Sequence, residues 1–521
     1  MTTKTEIGRT AAFNWVTLAA SLGVGFFLSP FIVRQLGSEG YGVWTLVNSL
    51  VAYMWLLDLG LRGAVTRFVS RYHAQGDHES ASRAVSAAFW LRVWIGVAIL
   101  VGALMFSSLA NTIVDIPPNM QGAARSAVLI VGMSVAVTIT FSIFGGVLAA
   151  LHRFDLICSV AIVQTGFRAA GIVWLLRNGH GIVHLALWEL TIALLGNLTL
   201  MTLALRVYRE LRFVFRRPDS GVLRQIGGYS FYVVVLNACH QVINYTDNVV
   251  VGACVGVAAV TIFTIAGGLL EYTRQMVSAL GLAFLPLASG FDARGQHHQL
   301  RTLLIQGTQA TLLVALPIEV ALFFRGHTFI GIWMGPQYAL ESGRVLRILL
   351  LSQIFLIADY TGYNIACGLG KHKPVAMRML AEAAANFSLS ILLARSIGLE
   401  GVAVGTVIPS VVNHVLFGPR YICKTLDTPV RTFLLQSWLR SALAVVPFAV
   451  ACSVADAYWP ATRLFQFGLQ MIVLSPLFVL GVVICFWQDV LRYVGDKFKW
   501  FSAPDRATLT VSDDRARSSS L

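Results

Sequence analysis

Residues 11–33 read AAFNWVTLAASLGVGFFLSPFIV. A bilayer is crossed by about 20 apolar residues in a helix, and this run is that long and carries no charged side chain. Polar residues with Lys4 and Arg9 precede it. A brief turn and a second apolar run follow where a signal peptide would have its cleavage region, so the run is expected to be the first retained helix. Working outward, further apolar runs stand at about 42–61, 86–110, 124–150, 156–176, 181–205, 229–253, 258–288, 303–324, 345–368, 376–394, 400–419, 438–455 and 465–488. The expected fold class is an all-α polytopic membrane protein of about 14 transmembrane helices.

Composition agrees with this over all 521 residues: hydrophobic types make up 56%, charged types 12%, and mean hydropathy is +0.71. A soluble domain carries about twice that charged share, so a set of soluble domains is excluded. The net charge of +14 would suggest nucleic acid in a soluble chain. Here the distribution decides. Of the 39 Lys and Arg, 27 fall on the side holding both termini and 8 on the other, with Arg92, Arg168, Arg274 and Arg440 inside spans or at their ends. This is the positive-inside asymmetry. It puts both termini in the cytoplasm, together with the loop bearing Arg206, Arg209, Arg212, Arg216, Arg217 and Arg224, and excludes a nucleic-acid partner. Seven cysteines are scattered without a CxxC, so neither a disulfide framework nor a zinc site is signalled.

Three segments outside the main spans have a reading of their own. Val65, Phe68, Val69 and Tyr72 recur at i, i+3, i+4 and i+7, which predicts that the second helix continues as a cytoplasmic interfacial segment. Phe329 to Met334 before Gly335-Pro336 reads as a short lateral helix or wedge on the other side. The Ser-, Asp- and Arg-rich stretch from Ser502 to Leu521 reads as a disordered cytoplasmic tail.

Compared with itself at an offset of 219, the chain sets Gly42-Val43-Trp44-Thr45 on Thr261-Ile262-Phe263-Thr264 and Ala74-Gln75-Gly76 on Ala293-Arg294-Gly295. The unit has an even number of spans, so its two copies enter the membrane in the same orientation, about a pseudo-two-fold axis along the membrane normal. The expected organisation is a six-helix bundle over 1–205, a basic cytoplasmic linker over 206–226, a second six-helix bundle over 227–420, two additional helices over 438–488 and a cytoplasmic tail over 489–521. Two such bundles with a mobile seam suit alternating access better than a static role.

Charges inside spans are costly and therefore informative. The acids are Asp58, Glu189, Asp247, Glu271, Glu319, Asp359 and Glu382. Arg92, Arg168 and Arg274 are the candidate substrate-binding cations, because an arginine fork matches phosphate oxygens and keeps its charge. Structural pairing, such as Arg274 with Glu271 one helical turn away, competes with that reading. Asp58, Glu189, Asp247, Glu271 and Asp359 are candidates for H+ or Na+ coupling or for structural pairing. Catalysis is not signalled: His184 and His240 stand alone on apolar helices, His297-His298 has no partner ligands at metal-site spacing, and no phosphate-cradling glycine loop is present. No enzyme, metal or cofactor is expected.

The stretches Phe31–Trp44, Leu56–Leu61 and Arg67–His73 resemble the opening of the bacterial polysaccharide-biosynthesis flippases, the lipid-linked oligosaccharide translocases. These belong to the superfamily that also holds the multidrug and toxin extruders and the lipid II flippases. Ile332–Tyr338, Val345–Leu349 and Gly368–Lys373 resemble later segments of the same family. The resemblance implies twelve to fourteen helices in two six-helix bundles. It also implies translocation of a polyprenyl-diphosphate-linked oligosaccharide or repeat unit across the bacterial inner membrane for O-antigen, capsule or exopolysaccharide synthesis. The implied partners are that glycan lipid, the lipid bilayer, and a polysaccharide polymerase and glycosyltransferases. A cation-coupled multidrug extruder, a lipid II flippase and a channel or assembly scaffold are the alternatives. A net positive cavity would favour the diphosphate and a net negative one would favour drugs. Reporter fusions after Arg217 and after Val511 should both report cytoplasm; a periplasmic signal after Arg217 would remove the linker and the symmetry built on it.

Overall fold

The computed structural model describes residues 4–58, 61–114, 116–211, 220–281 and 283–502, and these contain helices and turns but no strand. The basic-loop residues Arg212, Arg216 and Arg217 and the tail from residue 503 onward lie outside the described residues. The first part of the chain forms α1 (Lys4–Ala52), a 3₁₀ turn (Tyr53–Asp58), α2 (Leu61–Ala74), α3 (His78–Ile113), α4 (Gln121–Ala150), α5 (Phe154–Arg177) and α6 (Ile182–Val207). The second part forms α7 (Ser220–Cys254), α8 (Val257–Gly281), α9 (Phe284–Ala293), α10 (His297–Trp333), α11 (Pro336–Gly368), α12 (His372–Val411), a π-helical turn (Val412–Phe417) and α13 (Gly418–Thr425). The last described elements are α14 (Val430–Phe433), a second π-helical turn (Leu434–Leu439), α15 (Arg440–Tyr458) and α16 (Leu464–Ser502).

In hydrocarbon every backbone polar group must be satisfied within the protein, which long helices achieve unaided. Eleven stretches among the described residues are long and apolar enough to cross a membrane. Two of them are broken near their middle, leaving a span's length on each side, at Gly37 in α1 and at Ile397 and Gly398 in α12. Counting each of these two twice gives thirteen, so the chain is a multi-pass membrane protein, all-α over the described residues, with eleven to thirteen long apolar helices among them. Large apolar side chains such as Phe27, Trp94, Phe465 and Ile472 point outward and are exposed, as a lipid-facing surface requires.

The breaks have a local cause. Gly37, Gly76, Gly179, Gly256, Gly295 and Gly398 all hold a positive φ, between 62° and 132°, a region a residue with a Cβ enters at a cost. Asp77 follows the Gly76 turn and caps α3, its Oδ1 accepting the Ser80 amide at 2.9 Å. The hydroxyl and the amide of Ser80 hold that carboxyl below the usual carboxylate range.

The largest core joins the two parts of the chain. Val43, Leu46 and Val47 of α1 share it with Val250 and Val251 of α7, Val260 and Ile265 of α8, and Trp333. The close fit is made by small residues. A Cβ on Gly42 would stand 2.1 Å from the carbonyl oxygen of Val257, and Thr261 donates its hydroxyl to the carbonyl of Ser38 at 2.6 Å.

Two local expectations are corrected. Phe329 to Trp333 forms no separate wedge: it is the end of α10, Trp333 is buried, and its indole donates to the carbonyl of Phe26 at 2.9 Å while stacking on that ring. The segment around Val65 is a separate helix after a 3₁₀ turn, not a continuation of the second helix. Val65 and Val69 are buried in a core with Ile143, Val147 and Leu148 of α4, so protein and not lipid receives that face.

Candidate functional site

The second part of the chain encloses a cavity of about 330 Å³ between α7, α8, α11, α12 and the first π-helical turn. On one wall Arg274 pairs with Glu271 at 2.9 Å and donates to Asn244 at 2.6 Å, while Gln275 donates to Glu271 at 3.0 Å. On the other wall Arg378 pairs with Asp359 at 2.8 Å. His414 sets Nδ1 3.0 Å from Asp359 and Nε2 3.6 Å from Glu382, and Asn413 donates to that same carboxylate.

The π-helical turn aims His414 there. Pro419 cannot donate to the carbonyl four residues back, and an inserted wide turn absorbs the mismatch. Gly418 ends the turn where no Cβ fits: it would stand 2.5 Å from both Asp359 oxygens and from Arg378 NH1.

A second polar cluster lies where α7 meets α12. Thr406 and Ser390 reach the two oxygens of Asp247 at 2.6 and 3.3 Å, and the same hydroxyls lie 3.1 and 3.4 Å from the carbonyl of Val402. Two hydroxyl protons thus serve four acceptor contacts. Asn386 is buried beside Asp247 in the same cluster. The converging atoms are oxygens, the chemistry of a small hard cation or a proton and not of a transition metal. Among the described residues no group of three or more His, Cys, Asp and Glu side chains is arranged to hold a metal ion.

The candidate arginines do not converge. Arg274 lines the cavity. Arg92 is wholly enclosed, paired with Asp58 at 2.8 Å and donating to Ser142 and to the carbonyl of Ile139, so it ties the 3₁₀ turn and α3 to α4. Arg168 pairs with Glu189 of α6 at 3.0 Å and remains half exposed. Arg378 and His414 were missed in the sequence, because each falls near a span end or within an apolar run that hides its partners. Arg325, counted with the loop charges, is also wholly buried, donating to Gln470 at 2.6 Å and lying over the ring of Phe467. Nothing at the level of spacing marks it.

The family model described as "Polysaccharide biosynthesis protein" matches residues 10–291, more than half of the chain. The chain belongs to that family. A second model, MatE, matches residues 233–392. An uncharacterized membrane protein of Bacillus subtilis (strain 168), EpsK, is 22% identical over 502 residues, covering 92% of this chain and 94% of its own. A protein of Haloferax volcanii named "Probable low-salt glycan biosynthesis flippase Agl15" is 20% identical over 418 residues, covering 79% of this chain and 82% of its own. Among solved structures, the lipid II flippase MurJ in an inward closed conformation superposes with a TM-score of 0.67 at 15% identity, covering 92% of this chain and 99% of that one. At that identity the likeness is one of fold.

The family member's Arg92 gives a direct test of pairing inside the membrane. Arg92→Ala should lower stability in detergent by about 1–3 kcal/mol, since it removes the ties to Ser142 and the Ile139 carbonyl and leaves the partly exposed Asp58 without its partner. The double change Asp58→Asn with Arg92→Ala should regain part of that loss. A fully stable Arg92→Ala protein would remove the structural role.

Proposed function

We propose that this protein moves a polyprenyl-diphosphate-linked oligosaccharide or repeat unit across the bacterial inner membrane by alternating access, as a transporter without a catalytic step. Family membership supports the cargo class. The observation that carries the mechanism is the seam between the two parts of the chain, which is reciprocal at the offset of 219. Gly42 meets Val257 while Thr261 bonds Ser38; Thr261 is the equivalent of Gly42, and Val257 of Ser38. Tyr53 likewise bonds Thr246 at 2.6 Å while its equivalent Tyr272 packs edge-on to Phe26, next to the equivalent of Thr246.

The left-handed turns repeat in the same register: Gly37 with Gly256, Gly76 with Gly295, Gly179 with Gly398. So does the start of α3 at His78 with that of α10 at His297. This supports two six-helix bundles about a two-fold axis along the membrane normal. With α7 as a full span, two helices follow the bundles and the total is fourteen. The units are then 1–205 and 227–420 joined by the basic linker 206–226, with 438–488 and the tail 489–521 beyond them. Both termini are cytoplasmic in this reading. Such a seam can close at either end of the membrane in turn, which is the motion alternating access needs.

Arg274 is the group we assign to the diphosphate, with Arg92 a strut and Arg168 a tie between α5 and α6 through Glu189. Asp247 with Ser390, Thr406 and the Val402 carbonyl is the site we assign to a coupling Na+ or H+. Asp359 is the second coupling group, and Asp58, Glu189 and Glu271 serve as counter-charges. Polymerase and glycosyltransferases would act on either side of the transfer.

A cation-coupled multidrug extruder is the second reading. Arg274 and Arg378, even with a charged His414, do no more than balance Glu271, Asp359 and Glu382 in the cavity wall, so the wall is not the cationic surface expected for a diphosphate, and the MatE match covers most of that region. A lipid II flippase is favoured by no particular side chain. Reconstitution with a labelled polyprenyl-diphosphate glycan separates the two, since a flippase moves it between leaflets and an extruder does not. Arg274→Ala should keep normal abundance and lose about tenfold or more in transfer, with Arg274→Lys recovering part because its charge stays while the two-donor fork goes. Full transfer in Arg274→Ala would remove the anion assignment.

A further inference from the structure

We propose that His414, Asp359 and Glu382 form a one-proton site in the cavity wall, which binds the π-helical turn to α11 and α12 when its proton is present. This deepens the coupling role given to Asp359, and it rests on that reading only for the use to which the proton is put.

The argument begins with the ring. Both nitrogens of His414 face carboxylate oxygens, at 3.0 and 3.6 Å. A neutral imidazole has one N–H, so its bare nitrogen would point a lone pair at a carboxylate; an imidazolium presents an N–H to each, hydrogen-bonding Asp359 and ion-pairing with Glu382. The assembled cluster therefore holds one proton more than a neutral ring between two carboxylates.

Charge bookkeeping agrees. With that proton, His414 and Arg378 balance Asp359 and Glu382 in a wall where both acid side chains are 3% exposed. Without it one negative charge is left uncompensated inside the membrane, where such a charge is costly. The other groups facing the ring add no net charge. Asn413 donates to Glu382 from the turn itself. Cys423 of α13 and Tyr363 of α11 are near the Asp359 side. Across the cavity stand His240 of α7 and the mutually paired Glu271 and Arg274 of α8.

The cluster is built for contact and is particular to this half. Gly418 lets the turn reach the Asp359–Arg378 pair, with no space for a Cβ. At the offset of 219 the equivalents of Asp359, Arg378, Glu382 and His414 are Thr140, Ser159, Val163 and Leu195, none of them charged. The 13% exposure of His414 toward a cavity gives the proton a way in and out.

The test needs no cargo. Asn413-His414 is the only Asn-His step in the sequence, so carbonyl-labelled Asn with ring- and backbone-labelled His selects this histidine in the full-length protein in nanodiscs. At neutral pH the nitrogen shifts should report two protonated ring nitrogens in the wild type and a neutral ring in Glu382→Gln. A neutral wild-type ring with one bare nitrogen would overturn the site, and a doubly protonated ring in both proteins would overturn its sharing with Glu382. Either failure would leave glycan transfer in vesicles intact as a separate question.

Discussion

A charged side chain inside a bilayer must find its counter-charge within the protein, and the cost of failing is several kcal/mol. In this chain that requirement decides which helices are held together. Arg92 joins the 3₁₀ turn, α3 and α4 through Asp58, Ser142 and the Ile139 carbonyl. Arg168 joins α5 to α6 through Glu189. Arg325 is met by neutral acceptors instead, the carbonyl of Trp459 before α16 and Gln470 within it. Asp359 gathers α11, α12 and the π-helical turn. Apolar packing fills the space between helices, but lipid is as apolar as leucine and cannot by itself select a partner.

The same requirement explains the division of labour between the halves. Around α3 to α6 the embedded charges are closed into pairs, and Arg92 has no surface left to offer a cargo. Between α7 and α13 the polar groups are clustered about a cavity and a second oxygen-lined cluster, with more acceptors than protons to serve them.

Much of this was legible in the sequence because the bilayer imposes length and polarity on each span. The apolar runs at 376–394 and 400–419 leave a short gap between them, and the helix breaks there, at Ile397 and Gly398. The pairing of Arg274 with Glu271 follows from their spacing of three on one helix. Pairs between helices, such as Arg378 with Asp359 or His414 with Glu382, depend on which faces meet, and nothing in local periodicity specifies that. The burial of Trp333 was missed for a related reason. A Trp before Gly-Pro reads as an interfacial anchor, and only the arrival of Phe26 from α1 turns it inward.

The central claim is that the two halves open alternately at the two ends of one seam. Glu39 and Ala258 are exposed, repeat-equivalent positions beside the end sealed by Gly42 and Thr261, and Gln75 and Arg294 are exposed equivalents at the next turns. Spin labels on each pair, measured by pulsed dipolar spectroscopy in nanodiscs with and without glycan lipid and ion gradients, report both ends. The account requires opposite changes, the 39–258 distance lengthening in the population in which the 75–294 distance shortens. Distances that move together, or that stay fixed while glycan lipid is transferred, would contradict it.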